Sequence, residues 1–410
     1  MPFNNYDVCV IGGGASGLMA AAAAAESGLK TALIEKNTSM GRKLLVTGGG
    51  RCNVTNILEP QEFLRRCRPY DRFLRHSIYS FPPRALMEFL TQRGVETKVL
   101  ESNCVFLSGE RAYELLEALL EENRRSGTSM VYGRRVEAVE KSDEHFSLIC
   151  GKDTYTCRKL IIAAGGASWP QTGSTGDGYA LAASLGHRIA EPRACLVPLE
   201  VKENWVSRLA GVSLPAVSIS CRQTKKHPVT GGLVFTDTGI GGPAVLNFSR
   251  EILPLLEQSP VEAFIDLMPD LNIEELGERF AASITANPKS NFYSLMREYV
   301  PRSLGNVIAD LAGINPRTQA AVLPKAQRRR TVSLLKSLEL TITGTRPLKI
   351  ATVTRGGAAN DQIDPKTMES KLCPGLYLCG EVIDIDGPCG GFNLQIAFST
   401  GRLAGMSAAL

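Results

Sequence analysis

Residues 6–36 read YDVCVIGGGASGLMAAAAAAESGLKTALIEK, and this stretch decides the fold class. Asp7 leads into the apolar run Val8-Cys9-Val10-Ile11, the pattern of a parallel strand buried on both faces. Gly12-x-Gly14-x-x-Gly17 follows, then an alanine-rich helix to about Ser27 that Gly28 ends. A second strand over 31–34 terminates in Glu35. Each part has a mechanical reason. Gly12 permits a tight turn, Gly14 lets backbone approach a pyrophosphate, and Gly17 lets the helix pack close to the strand. The helix start at Ala15 and Ser16 offers unpaired N–H groups and a positive dipole end to phosphates. Glu35 is placed to accept hydrogen bonds from both ribose hydroxyls of an adenosine, and it disfavours a 2′-phosphate there. Strand, helix, strand and acid in this order predict an α/β fold of Rossmann type.

The rest of the composition narrows the class. At 410 residues, two or three domains are expected at about 150 residues each. A chain that is 44% hydrophobic and 21% charged is neither disordered, collagenous nor a coiled coil. Its 46 Lys+Arg against 41 Asp+Glu leave a net charge of +5, too small a surplus to argue for a nucleic-acid partner. A small-molecule substrate is the expectation. Residues 8–25 carry no charge, which is the length of a membrane span. Four glycines interrupt the run and no Lys or Arg precedes Lys30, so neither a span nor a signal peptide is expected. The 11 cysteines are irregularly spaced without a CxxC, and there are only 4 histidines. No metal is therefore expected, and the thiols suit a reducing, cytoplasmic compartment. Nothing in the pattern speaks to oligomeric state. The 39 glycines concentrate in windows at 12–17, 41–50, 165–178, 231–242, 356–357 and 375–391, where backbone has local work to do.

The C-terminal window separates FAD from NAD. Residues 375–405 read GLYLCGEVIDIDGPCGGFNLQIAFSTGRLAG: a short strand ending at Gly380-Glu381, then Gly390-Gly391 opening a helix over about 392–404. Such an element gives its carboxylate, Glu381, to a ribityl chain. Its helix start, at Gly391, Phe392, Asn393 and Leu394, points at the flavin edge that becomes negative on reduction. Between the two ends, residues 159–166 (KLIIAAGG) form a strand returning the chain to the cofactor at Ala164, Gly165 and Gly166. An amphipathic helix is expected over 110–126, with Tyr113, Leu116 and Leu120 on one side. Short strands at 129–132, 135–140, 146–150 and 155–157 make a meander, with Val136 placed near the adenine. Lys36, Arg42 and Lys43 put positive charge after Glu35, suited to cofactor phosphates or the flavin edge.

The blocks Gly41-Arg42-Lys43, Thr47-Gly-Gly-Gly50-Arg51-Cys52-Asn53-Val-Thr55-Asn56, Gly173-Ser-Thr-Gly176-Asp177-Gly178, Thr354-Arg-Gly356-Gly357, Thr367-Met368-Glu369-Ser370-Lys371 and Gly391-Phe392-Asn393-Leu394-Gln395 resemble the YhiN/BaiN-like flavoproteins, also called the aminoacetone oxidase family of FAD-binding enzymes. The resemblance implies a glutathione-reductase-like FAD domain, here 1–190 with 350–410, interrupted by an insert at 191–349. The insert would hold a small β-barrel, about 191–270, and a helical segment, about 271–340. It also implies that Gly50, Arg51, Cys52 and Asn53 lie against the isoalloxazine ring. Asp237 stands where the family usually has His, and Gly241 where it usually has Ser, which bears on the substrate rather than on FAD.

Strands expected over 196–201, 216–221, 232–236 and 261–266 fit such a barrel. Helices expected near 273–286, 291–299, 303–312 and 325–337 fit the helical segment. Arg328-Arg329-Arg330 has no interleaved aromatic and reads as a solvated helix face. Cys52 lacks the second cysteine of a dithiol reductase. The flavin carries the electrons, so no catalytic side chain is required for that, and Asp237, Asp386 and Arg51 are the candidates for other roles. The expectation is an FAD-dependent oxidoreductase on a small molecule, its flavin reduced by transient NAD(P)H or directly by an amine-like substrate. An FAD-dependent RNA-modifying enzyme and a non-catalytic flavin sensor are the alternatives.

Overall fold

The structure, a computed structural model, describes residues 4–100, 103–223 and 227–410. Strand β1 (Asn4–Ile11) lies at the centre of a seven-stranded sheet. Helix α1 (Ala15–Glu26) follows it, then β2 (Thr31–Ile34), parallel to β1 with Val8 opposite Thr31 and Ile11 opposite Ile34. Ser129–Val131 extends the parallel run beyond β2. On the other side β1 pairs with Asp153–Ile162, which in turn pairs in parallel with Leu376–Leu378. Phe146–Cys150 and Ala138–Lys141 continue the sheet antiparallel as the meander. The apolar run of β1 is buried between two flanking strands and beneath α1; Val8, Cys9 and Val10 are inaccessible to solvent.

Helix α1 is buried from Ser16 to Ala25, which explains its alanine content: it is enclosed between the sheet and the C-terminal helix Phe392–Ala408. Glycines set the closeness. A Cβ on Gly401 would stand 2.3 Å from Ser16 O, and one on Gly405 would stand 2.2 Å from Ala20 O.

Four local expectations change. The strands expected at 155–157 and 159–166 are one strand, Asp153–Ile162, which stops before residues 163–166; its two halves find different neighbours, the meander and Leu376–Leu378. The helix expected over 110–126 is Ala112–Arg125, but Tyr113 is 59% exposed. The buried stripe is Ala112, Leu115, Leu116, Leu119 and Asn123, one step round the helix from the one expected. The meander strand expected over 135–140 begins only at Ala138. The C-terminal helix runs on to Ala408. Residues 53–107, mostly unassigned from sequence, hold helices Pro60–Arg66, Asp71–Ser80 and Pro83–Thr91 and a three-stranded sheet of Asn53–Asn56, Cys104–Leu107 and Thr97–Val99.

The chain divides into two compact units, Met1–Ala194 with Leu348–Leu410, and Cys195–Pro347. The second unit has its own apolar core around a closed barrel in the order Leu199–Val201, Gly239–Gly241, Val229–Phe235, Ser213–Cys221, Val261–Asp266 and Leu338–Thr345. The expected barrel limit near 270 is too early, since the closing strand Leu338–Thr345 comes after the helical segment and pairs with both Val261–Asp266 and Leu199–Val201. Closure removes both open edges of the sheet. Helices Ile273–Ala286, Phe292–Met296, Arg302–Ala312 and Lys325–Lys336 fill the interval, and Pro243–Leu256 is a further helix behind the Gly239–Gly241 strand. Among the described residues no helix is long and apolar enough to cross a membrane.

Candidate functional site

The C-terminal ends of β1, β2, Asp153–Ile162 and Leu376–Leu378 bring four loops of the first unit together. A Cβ on Gly12 would meet Ala163 O at 2.6 Å, and one on Gly380 would meet Ser16 Oγ at 2.4 Å. Gly17 is tighter still, its Cβ falling 1.8 Å from Gly12 O. Gly14 is the exception, with nothing within 4 Å of its Cβ position. Open space thus lies at the start of α1, where Ala15, Ser16 and Gly17 carry N–H groups with no intrahelical acceptor. Beside it the buried Glu35 accepts from Gly13 N at 2.7 Å, and from Asn37 N and Nδ2 at 2.8 and 2.7 Å. Backbone bonds from Glu35 N to Val131 O and from Arg134 N to Glu35 O hold the segment that carries the buried Val136. A space at Gly14, donors aimed into it and an acid at the end of β2 fit a pyrophosphate with its ribose.

The cations named from sequence are engaged within the protein. Lys36 Nζ donates to Thr175 Oγ1 at 2.6 Å and to Asp177 at 2.8 Å, and Arg135 donates to the same carboxylate at 2.9 Å. Arg42 donates to Asn37 Oδ1 at 3.1 Å. Lys43 Nζ donates to Glu381 and to Ser168 Oγ, both at 2.7 Å. Glu381 Oε1 accepts in addition from Thr354 N at 2.8 Å and Ser168 Oγ at 3.2 Å, so one carboxylate ties together residues 43, 168 and 354. Gly166 sits against this knot, its Cβ position 2.6 Å from Thr354 Oγ1. Gly165 and Gly380 both take positive φ, and Ala164 is half-buried beside them. Asp177 and Thr354 stand in the sequence blocks that carry the family resemblance, and Ser168 in the 165–178 glycine window, but the sequence assigns none of them a role.

The loop after Gly41 turns through Gly48, Gly49 and Gly50 at φ of 57, 68 and 89°. Arg51 is exposed and lies 5.4 Å from the Phe106 ring centre. Cys52 is fully buried, and burial pushes its thiol up to about 11. The Asn53 amide donates to Thr55 O at 3.1 Å and accepts from Gly391 N at 3.3 Å, which fixes this loop to the start of the C-terminal helix. There Phe392 packs on Phe63 with ring centres 4.7 Å apart. Asn393 turns back, accepting from Gly387 N at 2.8 Å and donating to Gly387 O at 2.9 Å. Its side chain therefore braces the preceding turn, while the first-turn N–H groups of Phe392, Asn393 and half-buried Leu394 have no intrahelical acceptor.

Between Leu376–Leu378 and that helix lies an acidic pair. Asp386 is 1% exposed and accepts from Arg355 Nε at 2.9 Å, Arg355 Nη2 at 3.1 Å and Tyr70 Oη at 3.2 Å. Asp384 accepts from Gly356 N at 3.0 Å, and burial holds its carboxyl above the usual range. Burial and the neighbouring carboxylates likewise raise the Tyr70 hydroxyl. Asp237 lies in the second unit, exposed in the turn between Val229–Phe235 and Gly239–Gly241. Tyr70 is absent from the sequence reading, and Arg355 enters it only inside the Thr354–Gly357 block without a role, because their partner is distant in the chain.

The HI0933-like protein Rossmann domain model matches residues 6–407. The chain belongs to the HI0933-like family. This is the family to which the glycine-rich blocks pointed, and it is one of flavin-dependent oxidoreductases. Among its HI0933-like relatives, a 3-dehydro-bile acid delta(4,6)-reductase of Clostridium scindens is 33% identical over 98% of both chains. A ribosomal RNA dihydrouridine synthase of Haemophilus influenzae is 32% identical over 97% of both. In fold, the chain resembles a 3-ketosteroid delta1-dehydrogenase from Sterolibacterium denitrificans, with a TM-score of 0.53 and 12% identity over 99% of each chain.

Proposed function

We propose that this protein is an FAD-dependent reductase of a carbon–carbon double bond conjugated to a carbonyl. One observation carries the reading. Two relatives matched along nearly their whole length are named for unlike substrates, a 3-dehydro-bile acid and ribosomal RNA. In steroid and uracil chemistry alike, the bond those names describe as saturated is an alkene polarised by a neighbouring carbonyl. The shared part is the bond, and the bond is what a reduced flavin can hydrogenate.

In this reading the N–H groups of Ala15, Ser16 and Gly17 hold the FAD pyrophosphate, Glu35 the adenosine ribose, and Val136 the adenine. Gly165, Gly166, Gly380 and Glu381 line the ribityl chain. The loop of Gly50, Arg51, Cys52 and Asn53 and the helix start at Gly391, Phe392, Asn393 and Leu394 flank the ring. Bound there and reduced, FAD would supply a hydride to one alkene carbon, and the other would take a proton from solvent. The helix N-terminus favours negative charge at the ring edge. Lys43 holds the Glu381 carboxylate in place, and Lys36 and Arg135 do the same for Asp177. Arg355 is the cation offered to the substrate carbonyl, and Asp386 orients it through two hydrogen bonds. NAD(P)H binding transiently supplies electrons, in keeping with a sequence that has one strand–GxGxxG–helix.

The test is anaerobic stopped-flow. The purified protein should show flavin absorbance, bleach with NADH or NADPH, and recover colour when a 4-en-3-one steroid or a uridine-bearing RNA is added. A colourless protein that cannot be loaded with FAD, or a reduced flavin that no conjugated alkene reoxidises, ends the reading. Which acceptor restores the colour also decides between a small molecule and RNA. RNA is the second reading, favoured by the name of the Haemophilus relative.

A further inference from the structure

The helix Asp71–Ser80 presents one face that the fold does not use. Arg72, Arg75, His76 and Tyr79 are all exposed, with Tyr79 56% accessible. Their spacing, i, i+3, i+4 and i+7, places them on a single stripe. The opposite face, Leu74, Ser77 and Ile78, is buried, so the stripe is held rigidly. The chain segments on either side of this helix carry Arg65, Arg66, Arg68 and Arg84, whose side chains are 67, 57, 71 and 75% exposed. No lysine occurs between Lys43 and Lys98. Local acids answer some of this charge: Glu62 meets Arg65 and Arg66, Asp71 meets Arg68 and Glu59 meets Arg84. Arg72 and Arg75 have no ion-pair or hydrogen-bond partner among the described residues.

The helix starts beside the candidate reaction site, with Tyr70 on the side of its buried face. Tyr70, the residue immediately before the helix, donates to Asp386 at 3.2 Å, and Asp386 holds Arg355. At about 1.5 Å per residue, Arg72, Arg75 and Tyr79 lie about 3, 8 and 14 Å along the helix from Tyr70. We propose that this face docks RNA, gripping the backbone beside the nucleotide whose base enters the site; this rests on the RNA reading of the substrate. Guanidinium forks match phosphate oxygens in pairs and stack on bases, which ammonium groups do not. An exposed Tyr among them supplies a stacking platform for an unpaired base. A bile-acid-sized substrate has no use for a row of phosphate donors of this length. The whole-chain charge of +5 conceals the surface because the basic excess is local.

The experiment uses the full-length FAD-loaded protein and a fluorescein-labelled RNA hairpin with a uridine loop, followed by anisotropy between about 50 and 200 mM salt. Wild type should bind with salt-dependent affinity. R72E/R75E should bind at least about tenfold more weakly with a shallower salt slope, and Y79A about tenfold more weakly with the slope unchanged. R329E/R330E, on Lys325–Lys336, should bind as wild type does. All variants should keep the flavin spectrum and its bleaching by NAD(P)H. Equal binding by wild type and R72E/R75E, absence of RNA binding by wild type, or loss confined to R329E/R330E overturns the proposal. So does equal affinity for phosphatidylglycerol vesicles. Intact, stripe-dependent RNA binding in a protein whose flavin reduces no alkene would sink the reductase reading and leave the docking surface standing.

Discussion

At the scale of single residues, the site divides into groups that brace and groups still facing outward. Arg355 is 22% exposed while its partner Asp386 is 1% exposed, so the carboxylate anchors and the guanidinium reaches. R355A should slow reoxidation of the reduced flavin by a conjugated alkene about 100-fold, leaving flavin content and NAD(P)H reduction intact, and R355K should recover part of the rate; stopped-flow separates the half-reactions. A second prediction concerns Glu122, a buried acid remote from the site. Burial alone would raise its pKa, but hydrogen bonds from Arg93 and Arg125 outweigh that and lower it to about 2. A carboxyl depressed below its unfolded value of about 4.3 gives stability that is complete above that value and lost as pH falls through the folded one. E122Q should therefore lose about 2 kcal/mol at neutral pH and show a flatter urea midpoint between about pH 5 and 2 than wild type. Cys52 follows the same logic of burial: pushed up to about 11, it remains a thiol at neutral pH.

At the scale of elements, the decisive contact is α1 against Phe392–Ala408. Glycine inside a helix ordinarily costs stability, about 1 kcal/mol against alanine; Gly401 and Gly405 are present because the backbones of the two helices approach within reach of a Cβ. G401V should lower the melting temperature by several degrees and release flavin on dilution, while G277V, at an open position on Ile273–Ala286 where a Cβ meets nothing within 4 Å, should leave flavin retention unchanged. The fingerprint helix was legible in sequence because its start is dictated by local glycine geometry and its burial by an unbroken apolar run. Tyr113 is exposed: Leu115, Leu116, Leu119 and Leu120 form a broad apolar arc, and periodicity cannot say which edge of such an arc the neighbouring helix α1 covers. The helix Asp71–Ser80 has no counterpart in the sequence reading, since Asp71, Arg72, Arg75, His76, Ser77, Tyr79 and Ser80 obscure its short apolar face.

At the scale of the whole molecule, two cores occupy two units. Residues 195–347 expressed alone should fold cooperatively, by circular dichroism on heating, and bind no flavin; a featureless melt would show that this unit depends on the rest of the chain. The barrel's existence could be read from alternating strands, but its closing strand, Leu338–Thr345, could not. That strand pairs with partners far away in sequence, and its place follows from the need to satisfy an open sheet edge rather than from its own residues.

The same division holds throughout the protein. The dinucleotide fingerprint, the acid at Glu35 and the family of the chain were written locally, because turns, helix starts and strand burial depend on neighbours within a few residues. The pairing of Lys43 with Glu381, of Tyr70 and Arg355 with Asp386, and the joining of Asn53 to Gly391 were decided only by folding. Opposite charges and hydrogen-bonding groups separated by tens to hundreds of residues carry no mark of their partners until the sheet brings its strand ends together.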